Sequence, residues 1–126
     1  MNTCYAPCIE FANADISGQL LAAPDSDLDS LNFGVVEMDL SGKVLRYNAT
    51  ESRSAGLPAD RVLGRQFFTE VAPCSNNAKV AHRFRAAALD ETINYMFALR
   101  MKPVPVTLRM VKAPECPRMY LLVRWS

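Results

Sequence analysis

Residues 31 to 51 read Leu-Asn-Phe-Gly-Val-Val-Glu-Met-Asp-Leu-Ser-Gly-Lys-Val-Leu-Arg-Tyr-Asn-Ala-Thr-Glu, LNFGVVEMDLSGKVLRYNATE. Phe33 to Asp39, with Val35 and Val36 at its centre, predicts a strand. Leu40-Ser41-Gly42-Lys43 is turn chemistry, and Gly42 can supply a positive φ without steric cost. Val44 to Asn48 predicts the returning strand of the hairpin. Downstream come short, interrupted helical pieces. Ala49 to Ala55 is stopped near Gly56 and Pro58, Ala59 to Leu63 is ended by a C-cap glycine at Gly64, and Phe67 to Val71 is a third piece. Pro73 biases Ala72 away from helix, so Ala72 to Asn77 is expected to be a loop.

Ala78 to Leu89 is then expected to be the one long helix, with Val80, Phe84, Ala87 and Ala88 on one face. Three strand-like runs follow, Ile93 to Lys102, Val104 to Lys112 and Met119 to Trp125. In the second, Val104, Val106, Leu108 and Met110 alternate with Pro105, Thr107 and Arg109, the pattern of a half-buried strand. Pro105 implies an edge position or a gap in the ladder, and Ala113 to Arg118, with two prolines, makes the connecting turn. Two strands, a run of helices and three strands predict an α+β fold, a five-stranded antiparallel sheet with helices on one face. The hollow between sheet and helices is a natural ligand pocket. Residues 1–30 are more mixed. Ile16 to Ala22 is weakly helical, and Pro24-Asp25-Ser26-Asp27 is a loop or helix start. This segment reads as an N-terminal cap or extension to a domain spanning 31–126.

The bulk composition narrows the function classes. The 126 residues suit one domain, and half of them are apolar. Lysine and arginine (14) nearly balance aspartate and glutamate (13), so no broad basic field exists to hold nucleic acid. No apolar run approaches the roughly 18 residues of a membrane span. The start, MNTCYAPCIEF, has neither a basic n-region nor a continuous apolar h-region. A cytoplasmic location is therefore expected, with Cys4, Cys8, Cys74 and Cys116 as reduced thiols. Cys4 and Cys8 mimic half of a metal site, but there is no second close cysteine pair and the only histidine is His82, so no zinc site is expected.

Two segments carry a more specific signal. LNFGVVEMDLSGKVLRYNATE, followed by VLGRQFFTEVAPC, resembles the photoactive yellow protein family of PAS-fold sensors, without a detectable gap from Leu31 to Cys74. MKPVPVTLRMVKA, Met101 to Ala113, resembles that family's fourth strand. The resemblance implies a PAS fold and a blue-light receptor holding p-coumaric acid as a thioester on the cysteine of the VAPC motif, here Cys74. It implies that Tyr47 and Glu51 hold the phenolate of that chromophore, and it adds Phe67 and Met101 to the cofactor-binding set. The chemistry is consistent with these residue types. A thiolate is the competent nucleophile toward an activated acyl group. A buried phenolate needs donors, which a tyrosine hydroxyl and a protonated carboxylic acid supply. Light would isomerise the chromophore's double bond, and Glu51 would yield its proton, leaving a buried carboxylate that strains the fold. The resemblance further implies a small-molecule chromophore, and the expected partners are that chromophore and a separate signalling protein. Charge balance and the lack of long apolar runs argue for no nucleic acid and no membrane, and a monomer or homodimer is expected as the working unit. The chain carries no recognisable kinase, cyclase or DNA-binding segment, so output is expected to pass to another molecule.

The sequence also departs from the family. Ala55 stands where the family has a threonine supporting the Tyr-Glu pair, and Leu57 where it has an arginine over the chromophore. The run between Phe97 and Met101 is shorter and lacks several pocket aromatics, which predicts a more open pocket and shifted colour. These departures keep open a second reading, a non-photoactive PAS module that uses the same hollow for a ligand or a protein. A third reading, an acyl-transfer enzyme with Cys74 as nucleophile and His82 as base, lacks an orienting group or oxyanion motif.

Overall fold

The computed structural model describes residues 9–98 and 103–125. Its centre is a five-stranded antiparallel sheet with strand order β2-β1-β5-β4-β3, formed by β1 (Gly34–Met38), β2 (Val44–Tyr47), β3 (Leu89–Phe97), β4 (Val104–Lys112) and β5 (Met119–Trp125). The opening hairpin forms as the sequence predicts. Gly42 turns with φ +93, and the Asp39 carboxylate closes the turn by accepting from the backbone N–H of Ser41 and Lys43. The placing of Pro105 follows from its missing N–H. It pairs with Met96 but lies beyond Val106↔Trp125, where the β4–β5 ladder ends.

α3 (Ala49–Ala55) begins at Asn48, whose side chain caps Glu51 N–H, and stops at Gly56 in the left-handed region, φ +73. A 3-10 turn at Ala59–Arg61 and a π-helical turn at Phe67–Val71 follow, and Gly64 between them has φ +82. A 3-10 turn at Pro73–Ser75 then sits inside the expected loop.

The expected long helix from Ala78 to Leu89 does not form. The segment contains one 3-10 piece, Ala81–Arg85, broken before it by Val80 (φ −125, ψ −78) and after it by extended Ala86. Alanine favours helix by well under 1 kcal/mol per residue, and here the competing partners are stronger. Asn77 Oδ1 accepts from Lys79 and Val80 N–H, Arg83 donates to the Ala78 carbonyl, and Lys112 Nζ donates to the Phe84 carbonyl at 2.8 Å. β3 then takes Leu89 onward into nine cross-strand pairs with β4, four residues earlier than expected. Val80 and Phe84 are buried as predicted, whereas Ala87 and Ala88 are exposed. The expected end of β3 at Lys102 lies outside the described residues.

The central strands are buried on both faces, which explains their unbroken apolar runs. One face carries Val36, Met38, Leu108, Met110, Leu121 and Val123 under the short helices between β2 and β3, with Phe67, Val80 and Phe84 among their contributions. The other face carries Val35, Val111, Tyr120 and Leu122 under the N-terminal segment, where α1 (Ile16–Ala22) and α2 (Asp25–Asp29) supply Ile16, Leu20 and Leu28. Arg109 and Arg46 tie that segment down. Arg109 donates to the carbonyls of Phe11 and Asn13, and Arg46 to those of Leu20 and Ala23. Among the described residues no helix is long and apolar enough to cross a membrane.

Candidate functional site

Glu51 has no surface role, although an acid in the first turn of a helix is ordinarily a solvated residue near the helix dipole. It is fully buried, at 0 % exposure. Two local choices put it there. Asn48 caps α3 while its amide donates to the carbonyls of Leu28 and Phe33 and accepts from Val35 N–H, pinning the start of the helix against β1. Gly34 in β1 then leaves room for the carboxyl, because a Cβ there would overlap Glu51 Oε1. The indole N–H of Trp125, at the end of β5, donates to Glu51 Oε1 at 2.7 Å. Glu51 Oε2 is buried with no hydrogen-bond partner among the described residues. Burial disfavours the charged form and pushes the Glu51 pKa up to about 8, against the smaller opposing pull of the Trp125 N–H.

Tyr47, the last residue of β2, sits in the same interior. Its hydroxyl is likewise buried without a partner among the described residues. Burial first, and the nearby Glu51 charge second, push its pKa well above that of a free phenol. At neutral pH the pair therefore presents two neutral groups, each able to donate an O–H into an apolar interior.

Cys74 lies in the 3-10 turn after Pro73 and is half-buried against the apolar cluster that holds Tyr47 and Phe67, alongside Leu57, Tyr95 and Trp125. Its turn is held from several sides. Ala72 N–H reaches back to the Phe67 carbonyl, and Ser75 Oγ donates to the Ala72 carbonyl at 2.6 Å. The Cys74 carbonyl accepts from the Tyr95 hydroxyl at 2.7 Å and from Asn77 Nδ2 at 3.1 Å, and Asn77 also donates to Tyr95 Oη. The cysteine's backbone is thus locked to β3. Phe67 is fully buried and meets Phe68 edge-on at 5.2 Å. Ala55 is buried, and Leu57 is half-buried against the same apolar cluster. Met101 lies outside the described residues, as do Cys4 and Cys8. His82 is exposed on its 3-10 turn.

Sequence reasoning missed Trp125, Tyr95 and Asn77 as members of this site. Strand alternation was the available signal. Met119, Leu121, Val123 and Trp125 fall on one face of β5, and Ile93, Tyr95 and Phe97 on one face of β3, so both aromatics are placed on the inner side. Their rings continue that side, with Phe97 6.0 Å from Tyr95 and 5.8 Å from Trp125.

A five-stranded antiparallel sheet in the order β2-β1-β5-β4-β3, with short helical turns between β2 and β3 over one face, is the architecture of the PAS fold. The PAS fold family matches residues 28–116. The PAS domain of an HTR-like protein from Haloarcula marismortui, 14 % identical, superimposes with TM-score 0.65 over 87 % of this chain and 96 % of that one, a likeness of fold alone. Closer relatives specify the branch. Photoactive yellow protein of Halochromatium salexigens is 37 % identical over 109 residues, 83 % of this chain and 87 % of that protein. Photoactive yellow protein of Rhodobacter capsulatus is 30 % identical over 120 residues, 92 % of this chain and 96 % of that protein. The photoactive yellow protein domain of the sensor histidine kinase Ppr from Rhodospirillum centenum is 39 % identical and superimposes with TM-score 0.78, covering 85 % of this chain and 97 % of that domain. The chain belongs to the photoactive yellow protein family.

Proposed function

We propose that this domain is a blue-light photoreceptor that carries p-coumaric acid as a thioester on Cys74 and holds the phenolate end with Tyr47 and Glu51. The feature that carries this reading is the pair of buried oxygens, Tyr47 Oη and Glu51 Oε2, which have no hydrogen-bond partner among the described residues. Unpaired buried polar atoms are rare and costly, about 1–3 kcal/mol each. A phenolate oxygen is an acceptor for donors of this kind, so the residue types suit a phenolate. Neutral Glu51 favours this match, since an ionised acid would repel the ligand's charge.

When bound, the chromophore supplies a light-driven isomerisation about its double bond. The chain does the rest. Cys74 Sγ provides the attachment point on a turn held by Ala72, Ser75, Asn77 and Tyr95. Phe67 packs along the buried interior, and Leu57 stands where the family's arginine would, giving the site an apolar cover. Met101 completes the set from the segment before β4. With the chromophore bound, Glu51 Oε2 would hold the proton that the site yields, and the resulting buried carboxylate would be the charge change that drives signalling. Residues 1–30 act as the cap of a sensor domain spanning 31–126, and the output passes to a separate signalling protein in the cytoplasm, from a monomer or homodimer.

Reconstitution with activated p-coumarate tests this. The purified protein is expected to gain the mass of one coumaroyl group, absorb strongly in the blue and bleach reversibly on illumination, and Cys74→Ser is expected to lose all three properties. A coloured, photoactive Cys74→Ser protein, or a wild-type protein that keeps its unmodified mass under the same treatment, would overturn it.

A further inference from the structure

We propose that Trp125 is the positioning residue that decides which oxygen of Glu51 carries the proton. The indole N–H is a donor and has no acceptor capacity. Its bond to Glu51 Oε1 at 2.7 Å therefore makes Oε1 an acceptor in every protonation state of the acid. When Glu51 is neutral its proton resides on Oε2, the oxygen that has no other partner among the described residues. The tryptophan converts a symmetric acid into a directed donor.

The same bond acts after the proton leaves. The Oε2–H bond breaks, the proton goes to the phenolate oxygen of the ligand, and the electron pair stays on the Glu51 carboxylate. Trp125 then holds that anion through Oε1, so the buried charge formed in the switch keeps one donor from the protein. Hydrogen bonds to charged groups are stronger than those to neutral ones, so Trp125 stabilises the ionised form more than the neutral one. The groups packed around Glu51 leave this role to Trp125. Among the described residues, Gly34 on β1 offers no side chain, Ala55 on α3 carries no charge, Cys74 packs against the apolar cluster that holds Tyr47, and Tyr47 on β2 is a neutral phenol whose own pKa is raised by burial and by Glu51. Trp125 is itself held in place, its ring against Phe97 and its backbone paired with Val106.

The chromophore step rests on the photoreceptor reading, but the proton's placement does not, so the test uses protein without chromophore. Trp125 is the only tryptophan of the chain, which makes two replacements available. One is Trp125→Phe. The other is biosynthetic incorporation of benzothienylalanine at the single tryptophan position, which keeps the bicyclic shape and lacks the N–H. Infrared difference spectra across a pH titration follow the carbonyl band of protonated Glu51, assigned by its loss in Glu51→Gln. Both replacements are expected to raise the midpoint by about one pH unit, the worth of a charge-assisted hydrogen bond, and to move the carbonyl band to higher frequency because its oxygen no longer accepts. An unchanged midpoint and band in the benzothienylalanine protein would overturn the proposal. Failure to take up p-coumarate would remove the photoreceptor reading and leave this result standing.

Discussion

Each face of the sheet buries a glutamate, and the two glutamates are compensated in opposite ways. Under the N-terminal segment, the buried Glu37 carboxylate meets Arg46 at 2.5 Å and Arg118 at 3.4 Å, and Arg109 spends its donors on Asp90 and on two backbone carbonyls. Tyr120 stands beside that paired Glu37. Under the short helices, Glu51 has a single neutral donor and the Tyr47 hydroxyl has no hydrogen-bond partner among the described residues. Two buried acids in one small domain thus have opposite fates. Glu37 is compensated by arginines and serves to hold the cap, whereas Glu51 is neutralised by its own proton and remains available for exchange. A buried acid paired with a cation is structural glue, and a buried acid kept neutral by desolvation is a proton store.

The difference predicts an alkaline weakness that belongs to one face. Glu51 binds its proton far more tightly when folded, with a pKa of about 8 against an ordinary value of 4.5. Its contribution is fully present below pH 4.5 and is lost as pH rises through 8, because the folded state must then bury a carboxylate. The penalty is on the order of 4–5 kcal/mol across that window. Urea unfolding of chromophore-free protein at pH 5, 7 and 9 should show stability falling steadily, and Glu51→Gln should flatten that limb. An equally steep alkaline decline in Glu51→Gln would show that another group is responsible and would erase the contrast between the faces.

Asn48 offers a way to break both faces together. It uses all four of its hydrogen-bonding sites, to Leu28 and Phe33 carbonyls and to Val35 and Glu51 N–H. It thereby joins α2 on the cap side to β1 and to the start of α3. Asn48→Ala removes a helix cap and leaves buried backbone groups unpaired, a loss of about 3 kcal/mol in urea unfolding. It should also lower the Glu51 midpoint as water enters, and a loss of stability with that midpoint unchanged would mean that Gly34 and Trp125 suffice to bury the acid.

Arg109→Met separates the faces again. Arg109 is 6 % exposed, and its removal frees Asp90 and the carbonyls of Phe11 and Asn13. A loss of about 2 kcal/mol is expected, with faster backbone hydrogen exchange confined to the N-terminal segment. The Glu51 midpoint should hold, since it is set by burial and by the Trp125 N–H on the other face. A shifted midpoint would show that the two faces communicate through the sheet.

Much of this architecture was legible in the sequence, and the failures share one cause. α3, β4 and β5 occupy the expected residues, because their signals are local: Gly56 in the left-handed region ends the helix, and the proline-bearing turn Ala113 to Arg118 separates two apolar strand runs. The helix expected at Ala78–Leu89 does not form because the 3- and 4-residue spacing of Val80, Phe84, Ala87 and Ala88 is a local signal, whereas the forces that override it come from Asn77, Lys112 and the pairing of Leu89. The site divides the same way. Cys74 announces itself through the residues around it, Phe67 to Pro73. The burial of Glu51 is set by Gly34, seventeen positions earlier, and by Trp125, seventy-four positions later. A glutamate in a first helical turn carries no mark of that, and only the family resemblance singled it out.

The smallest expected effect is the mirror image of the largest. Asp90 accepts two hydrogen bonds from Arg109, which hold its carboxyl below the usual carboxylate range against a smaller desolvation penalty. A depressed acid stabilises the fold above its ordinary pKa, and that stabilisation is lost as pH falls through the depressed value. Its side chain is 51 % exposed, so solvent screening reduces the gain to below about 1 kcal/mol. Asp90→Asn should therefore trim stability slightly at pH 7 and shallow the acid limb of the unfolding curve, while leaving the alkaline limb of Glu51 intact. Combined with Glu51→Gln, the two effects should add, because the groups lie on opposite faces and share no partner. Significant coupling in that double variant would mean that the sheet transmits charge from the site to the cap, and the division of labour between the faces would have to be abandoned.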